Sequence, residues 1–325
     1  MSSTTGEREI LVVAHAGREN TVAAARRVIT ALAAAEARAV LPAGEEGLLE
    51  AFGDLGPVAA LGVDVPVERI ELAIVLGGDG TILRAAELVR DGTAPILGIN
   101  MGHVGFLAEI EADVLDDAMR RVIDRDYEVE ERMTLAVRVK DADGAVIYDT
   151  WALNEATVEK ASRERMMEVV IEIDRRPLSS FGCDGVVVST PTGSTAYNFS
   201  AGGPIVWPSV EAIAVVPLSA HALFARPLVV GPEATVAIEV LARTDGTGIL
   251  WCDGRRSHDL PPGARVVVGR APQPVRLARL HPAPFTDRLV RKFQLPVTGW
   301  RGPAESPTEA ISLRGFDSAS GESGA

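Results

Sequence analysis

Glu71-Leu-Ala-Ile-Val-Leu-Gly77-Gly78-Asp79-Gly80-Thr81-Ile-Leu-Arg84-Ala-Ala-Glu-Leu-Val-Arg-Asp91 joins an apolar run, a glycine loop and an amphipathic stretch. The run at 71–76 is short and closed by glycine, which predicts a buried strand, whereas apolar residues at helical spacing predict a helix over 81–91. The same alternation extends to both sides. Residues 9–16 predict a strand, the Ala-rich stretch 19–36 a helix, 95–99 a strand, and 111–125 a helix with acidic residues in its first turn. Strands alternating with helices imply a parallel sheet covered on both faces.

Ligands of such sheets bind at the carboxyl ends of the strands, where the glycine loop stands. Glycines at 77, 78 and 80 let backbone amides approach a phosphate closely, and the helix start adds its positive dipole end. A carboxylate in that loop either caps the helix or faces phosphates across a metal ion or an attacking hydroxyl, as phosphoryl transfer requires. A second loop, Asn100-Met-Gly102-His103-Val-Gly105-Phe-Leu107, also follows a strand and opens onto the same crevice. Gly77, Gly78, Gly80, Thr81, Asn100 and Gly102 are therefore the expected phosphate-donor loops, and His103 is expected to cap or to face solvent. The chain has neither G-x-x-x-x-G-K-[ST] nor a proper G-x-G-x-x-G, which excludes a P-loop enzyme and an evident dinucleotide dehydrogenase.

Beyond about residue 127 the texture changes. β-branched runs at 133–140, 146–158, 166–174, 186–189, 213–217, 227–230, 234–241 and 265–268, punctuated by Pro and Gly, predict a β-rich second domain. Within it, Asn154 and Glu155 sit side by side in an apolar run, so one must face the core or a pocket unless the strand bulges. Ribose hydroxyls would suit the pair, and so would a structural hydrogen bond. The stretch from Phe181 to Pro204 crowds glycines and hydroxyl side chains after a buried strand, a composition suited to ribose, amide and phosphate contacts. Cys183-Asp184-Gly185 recurs as Cys252-Asp253-Gly254, and Asp253 is either a site residue or an ordinary turn residue. The cysteines read as inert small hydrophobes.

A length of 325 residues favours two domains. A net charge of −13 argues against nucleic acid as partner and leaves any anionic ligand to local donors. With no apolar run of membrane length and a short polar start, no membrane span or secretory signal is expected, and the expected compartment is the cytoplasm. Two cysteines and five scattered histidines show no zinc spacing, so no metal held by the protein itself is expected. From Pro303 only Ile311, Leu313 and Phe316 are large and apolar, which predicts a disordered tail over 303–325.

In order and spacing, Gly-Gly-Asp-Gly-Thr, Asn-x-Gly-x-x-Gly-Phe-Leu, Asn-Glu, and Asp-Gly-x-x-x-Ser-Thr-Pro-Thr-Gly-Ser-Thr-Ala-Tyr resemble the bacterial NAD kinases. The likeness runs from about 9 to 302, and Thr-Asp-Arg-Leu-Val-Arg-Lys-Phe near its end looks actinobacterial. It implies an α/β nucleotide-binding domain over 1–128 with 284–302 returning to it, and a β-rich NAD-binding domain over 129–283, the architecture shared with diacylglycerol kinases. It implies phosphorylation of the adenosine ribose 2′-hydroxyl of NAD with ATP or polyphosphate and Mg²⁺, in a homo-oligomer, dimer or tetramer. By motif, Asp79 would be the proton acceptor with Gly80 and Arg84 beside it. Asn154, Glu155, Arg165, Asp184, Thr195, Ala196, Tyr197, Asn198, Phe199, Ser200 and Asp253 would contact NAD. Many relatives carry Arg two residues before the Asp matched by Asp184, where this chain has Gly182. The alternatives are a diacylglycerol- or sphingosine-type lipid kinase, which would lack the Thr-Gly-Ser-Thr-Ala-Tyr stretch, and a non-catalytic NADP-binding sensor.

Overall fold

The computed structural model describes residues 8–14, 19–44, 52, 55, 58–102, 105–108, 110–111, 114–162, 166–242, 248–281 and 284–297. The expected tail at 303–325, His103 and Arg165 lie outside these residues.

One eight-stranded sheet comprises β1 (Arg8–Ala14), β2 (Ala37–Leu41), β3 (Val58–Ala60), β4 (Ile70–Leu76), β5 (Ile96–Asn100), β6 (Ile110–Glu111), β7 (Glu128–Arg132) and β20 (Val275–Arg279). Its order is β3-β2-β1-β4-β5-β20-β7, with β6 against β5, and β1 through β5 pair in parallel. Helices α1 (Glu19–Ala34) and α3 (Leu115–Ile123) cover one face, where Val28, Ile29, Leu32, Leu115 and Val122 meet Val12, Leu72 and Ile74. Helix α2 (Asp79–Leu88) covers the other through Ile82, Leu83 and Ala85. Strands buried on both faces have no polar side to show, which is why β1 and β4 read as unbroken apolar runs.

The second unit is a sandwich. One six-stranded sheet runs β15 (Leu228–Val230), β14 (Ile213–Leu218), β13 (Gly185–Ser189), β10 (Glu155–Lys160), β17 (Gly248–Cys252), β18 (Arg256–Leu260). The other runs β12 (Arg176–Cys183), β11 (Met167–Ile173), β16 (Val236–Val240), β19 (Arg265–Arg270), β8 (Leu135–Lys140), β9 (Val146–Ala152). Their inward residues, among them Val137, Val158, Val169, Val186, Ile238 and Val266, form one continuous core. Two short pieces complete the chain order, α4 (Tyr197–Ser200) and α5 (Phe285–Phe293).

The α/β and β-rich division expected from the sequence is observed. Three differences bear on the site. Helix α2 starts at Asp79 instead of 81, so the acid belongs to the first helical turn. The run 146–158 is two strands, β9 and β10, broken at Leu153-Asn154. The chain re-enters the first sheet at β20, before residue 284, because Val275, Leu277 and Ala278 are buried between β5 and β7.

No helix of the described residues is long and apolar enough to cross a membrane.

Candidate active site

The turn from β4 into α2 is built so that backbone lines a hollow. Gly78 is the N-cap residue, in extended conformation and with no side-chain cap, so Asp79 does not cap its own helix. Instead the Asp79 carboxylate accepts the amides of the second glycine loop, Phe106 N–H to Oδ2 and Leu107 N–H to Oδ1, both at 3.0 Å. The acid thus ties the two loops together and has a fixed orientation. Gly105 is required by this closeness, since a Cβ there would stand 2.9 Å from the Asp79 carboxyl carbon.

Beside this tie lies a cavity of about 770 Å³ whose wall includes Gly77, Gly78, Gly80, Thr81 and Arg84 from the first loop and helix, and Asn100 and Gly102 from the second. All the expected donor-loop residues therefore converge. Besides the apolar Ala14 and Met101, the wall includes two polar residues not singled out from the sequence, Thr21 of α1 and Arg255 of the β17–β18 turn. Thr21 follows a strand end as the glycine loops do, but carries no glycine signal. Arg255 belongs to the other unit, where local spacing cannot reveal it.

A second hollow of about 410 Å³ opens on the sandwich, lined by Glu155, Thr157, Glu159, Tyr197, Trp251 and Gly254. The break at Leu153-Asn154 explains its chemistry. Asp253, at φ 54°, sends its buried carboxylate to the Leu153 and Asn154 amides at 3.0 and 2.7 Å, and accepts Arg256 Nη2 at 2.7 Å. Both its oxygens are thereby used internally, and it is at once a turn residue and the clasp of the Asn154 loop. Burial, ahead of its hydrogen bonds, pushes its carboxyl upward. Glu155 follows, buried beside Asp253, and burial first and that neighbouring charge second raise its carboxyl to about 8. Its Oε2 and Thr157 Oγ1 are buried and find no partner among the described residues.

This raised carboxyl has a measurable consequence. Below about 4.5 both folded and unfolded chains hold the Glu155 proton, and between there and about 8 only the folded chain does, so this group withdraws stability as pH rises through that window. Glu155→Gln is therefore expected to flatten the fall in melting temperature between pH 5 and 9. Parallel curves for the two proteins would refute the assignment.

The hydroxyl-rich segment is partly framework and partly surface. Thr190 Oγ1 donates to Leu153 O at 2.6 Å and accepts Gly193 N–H at 3.1 Å, and Thr190 N–H donates to Asn154 O at 2.9 Å. Ser194 Oγ donates to Pro191 O, and Asn198 Nδ2 donates to Ser194 O and Pro204 O. Asn198, expected among the NAD contacts, is fully buried inside its loop, because a short helix at 197–200 turns its amide inward. Tyr197, Phe199 and Ser200 are exposed, while Thr195 and Ala196 are partly so. Asp184 lies at the β12–β13 junction, half-exposed and ion-paired with Lys160 at 2.5 Å. The Lys160 hydrogen bond, then that of Ser219, holds its carboxyl below the usual range. At Gly182 the place of a side chain is taken by Met166.

An aromatic chain joins the two halves. Phe106, next to the amides that hold Asp79, lies 5.7 Å from Phe293 of α5, and Phe293 lies 4.6 Å from Phe199. The acid's loop and the exposed 197–200 turn thus share one packing cluster. Both cysteines are buried and their thiols pushed up to about 12, chiefly by burial, so they are not nucleophiles. Among the described residues no group of three or more His, Cys, Asp or Glu is arranged to hold a metal.

The chain matches the family models of the ATP-NAD kinase N-terminal domain over residues 60–127 and of the ATP-NAD kinase C-terminal domain over 153–280. It is 66% identical over 298 residues to the NAD kinase of Leifsonia xyli subsp. xyli, covering 91% of this chain and 98% of that protein. To the NAD kinase of Thermobifida fusca it is 57% identical over 310 residues, 94% of each. Its fold resembles yeast NADH kinase complexed with NADH, with a TM-score of 0.81 at 22% identity over 91% and 90% of the two chains. It also resembles an NAD kinase from Archaeoglobus fulgidus in complex with ATP, with a TM-score of 0.66 at 24% identity over 89% and 99%. Identity this high along nearly the whole chain leaves one assignment: the chain belongs to the NAD kinase family.

Proposed function

We propose that this chain phosphorylates the 2′-hydroxyl of the adenosine ribose of NAD, with ATP as donor, and that Asp79 is the residue that receives the hydroxyl proton. The observation that carries the reading is Asp79 itself, clasped between two glycine loops, with its chain neighbours Gly78 and Gly80 in the wall of the 770 Å³ cavity. A donor triphosphate would lie against the amides of 77–80 and 100–102, at the positive end of α2. NAD would occupy the hollow over Glu155, Thr157 and Tyr197. Phosphoryl transfer through a loose transition state asks for positioning more than for a strong base. The two amides from Phe106 and Leu107 supply that positioning for the carboxylate. Asp79 accepts a hydrogen bond from the 2′-hydroxyl and takes the proton late, as the bond to phosphorus forms.

Glu155, protonated over much of the physiological range, can donate one hydrogen bond and accept another, which suits a ligand hydroxyl. The clasp through Asp253 fits a positioning role better than direct contact, and Asn198 fits the same description. A divalent cation, Mg²⁺ in our reading, would arrive with the donor and neutralise its phosphates. The side chains beside the cavity fit that manner of binding: Thr81 and Asn100 offer oxygen ligands, while the phosphates supply the rest. We further read the protein as a cytoplasmic homo-oligomer, with polyphosphate as an alternative donor. Residues up to 132, with the strand at 275–279 and the segment from 284, form the donor half, and 133 to about 274 form the NAD half.

The deciding experiment is a matrix of donors, ATP and polyphosphate, against acceptors, NAD and NADH, read as phosphorylated dinucleotide. Formation of NADP from ATP and NAD is expected, and no turnover of either dinucleotide would overturn the reading. Within it, Gly105→Ala is expected to lower kcat by about tenfold to a hundredfold, because the new Cβ displaces the Asp79 carboxylate from its place. Wild-type kcat in that variant would show that the acid's position is immaterial.

A further inference from the structure

Arg255 is carried into the donor cavity by the sandwich, although the rest of the described wall comes from the α/β unit. The turn that delivers it is unusual for its backbone: Asp253 and Gly254 are both left-handed, at φ 54° and 64°, and Arg255 N–H closes the turn onto Cys252 O at 3.1 Å. A left-handed non-glycine residue costs on the order of 1 kcal/mol, and here the cost is offset by the Asp253 carboxylate bonding the Leu153 and Asn154 amides. Beyond the turn, Glu87 at the far end of α2 holds both arginines, Arg255 Nε on Oε2 at 3.1 Å and Arg256 Nε on Oε1 at 3.0 Å. The two differ in what else they do. Arg256 is spent on Asp253, Thr150 Oγ1, the Trp151 carbonyl and the Trp151 ring. Among the described residues Arg255 makes only the side-chain bond from Nε, and its guanidinium remains partly exposed at the cavity wall.

From this geometry we infer that Arg255 is a phosphate-donor contact: its guanidinium binds the polyphosphate chain of the donor from the side opposite the glycine loops, with Glu87 as its positioning residue. The chemistry it recognises is a linear triphosphate or longer polyphosphate, which a planar guanidinium grips through two parallel N–H bonds. In a chain of net charge −13 such an anion must be held by local groups. Because the arginine comes from the unit that carries Glu155, donor binding would also draw the two halves together. The inference rests on the NAD kinase reading for its enzymatic arm only.

The test uses the full chain and two variants, Arg255→Ala and Arg255→Lys, with inorganic tripolyphosphate as a probe that requires no NAD. By calorimetry, Arg255→Ala is expected to weaken tripolyphosphate binding about tenfold or more, with Arg255→Lys intermediate. In rate assays, KM for ATP should rise by a similar factor while KM for NAD stays within twofold. Tripolyphosphate affinity and KM for ATP both unchanged in a variant that melts like wild type would overturn the proposal, as would equal rises in both KM values, the mark of a structural role. If Arg255→Ala does not fold, Arg255→Lys decides alone, and unweakened tripolyphosphate binding in it counts against a guanidinium contact. Weakened tripolyphosphate binding in a protein that makes no NADP would sustain Arg255 and overturn the kinase reading instead.

Discussion

Asp79→Asn is expected to lose on the order of a hundredfold or more in kcat while NAD still binds. The substitution keeps the size of the side chain and removes its ability to take a proton. It also alters the loop tie, because a carboxamide offers one acceptor oxygen where the carboxylate offers two. The amides of Phe106 and Leu107 both point at this group. One of them would then face an NH₂ group, an unsatisfied pair costing about 1–3 kcal/mol. Calorimetric titration with NAD separates the two effects, since the hollow over Glu155 and Tyr197 that we propose for NAD is built by other elements. A variant with near wild-type turnover would remove Asp79 from the chemistry, whatever its stability.

Gly193→Ala is expected to destabilise the protein by about 3 kcal/mol or more and to abolish NAD binding. A Cβ at 193 would come closer than 3.0 Å to the carbonyl oxygen, carbonyl carbon and Cα of Asn154. These are backbone atoms and cannot rotate aside. The Asn154 carbonyl also accepts Thr190 N–H, and the Gly193 amide reaches Thr190 Oγ1, so any shift undoes the lacing between the two loops. Gly202→Ala is the matched control. It sits at φ +82° with nothing within 4 Å, so only left-handed strain of about 1–2 kcal/mol is expected. Thermal melting of the two variants side by side is the measurement, and a Gly193→Ala protein that melts no lower than Gly202→Ala would refute the close-packing account.

How much of this was legible from residues alone depended on where each element lies in its sheet. The sequence by itself determined the strands that are buried on both faces, β1, β4, β5 and β13, because such strands must be apolar throughout. It did not reveal β7, β12 or β18, edge strands whose side chains largely face solvent and where charge guards against further pairing. Nor did it reveal β2, β17 and β20, which lie inside their sheets but are short, with arginines interrupting the apolar residues of β2 and β20. The glycine loops, Asp79 and the hydroxyl-rich segment could be read because phosphate and ribose chemistry demands rare residue types close together along the chain. Tertiary structure alone decided which of those side chains line a hollow and which are buried against backbone. Asp253 is tied to backbone amides some one hundred residues away, and Asn198 is turned inward onto carbonyls of its own loop, placements that residue type alone does not give. Arg255 reaches the cavity beside the glycine loops for the converse reason: the sandwich brings its turn against α2, and a contact made across 168 residues leaves no periodicity in the chain to be read.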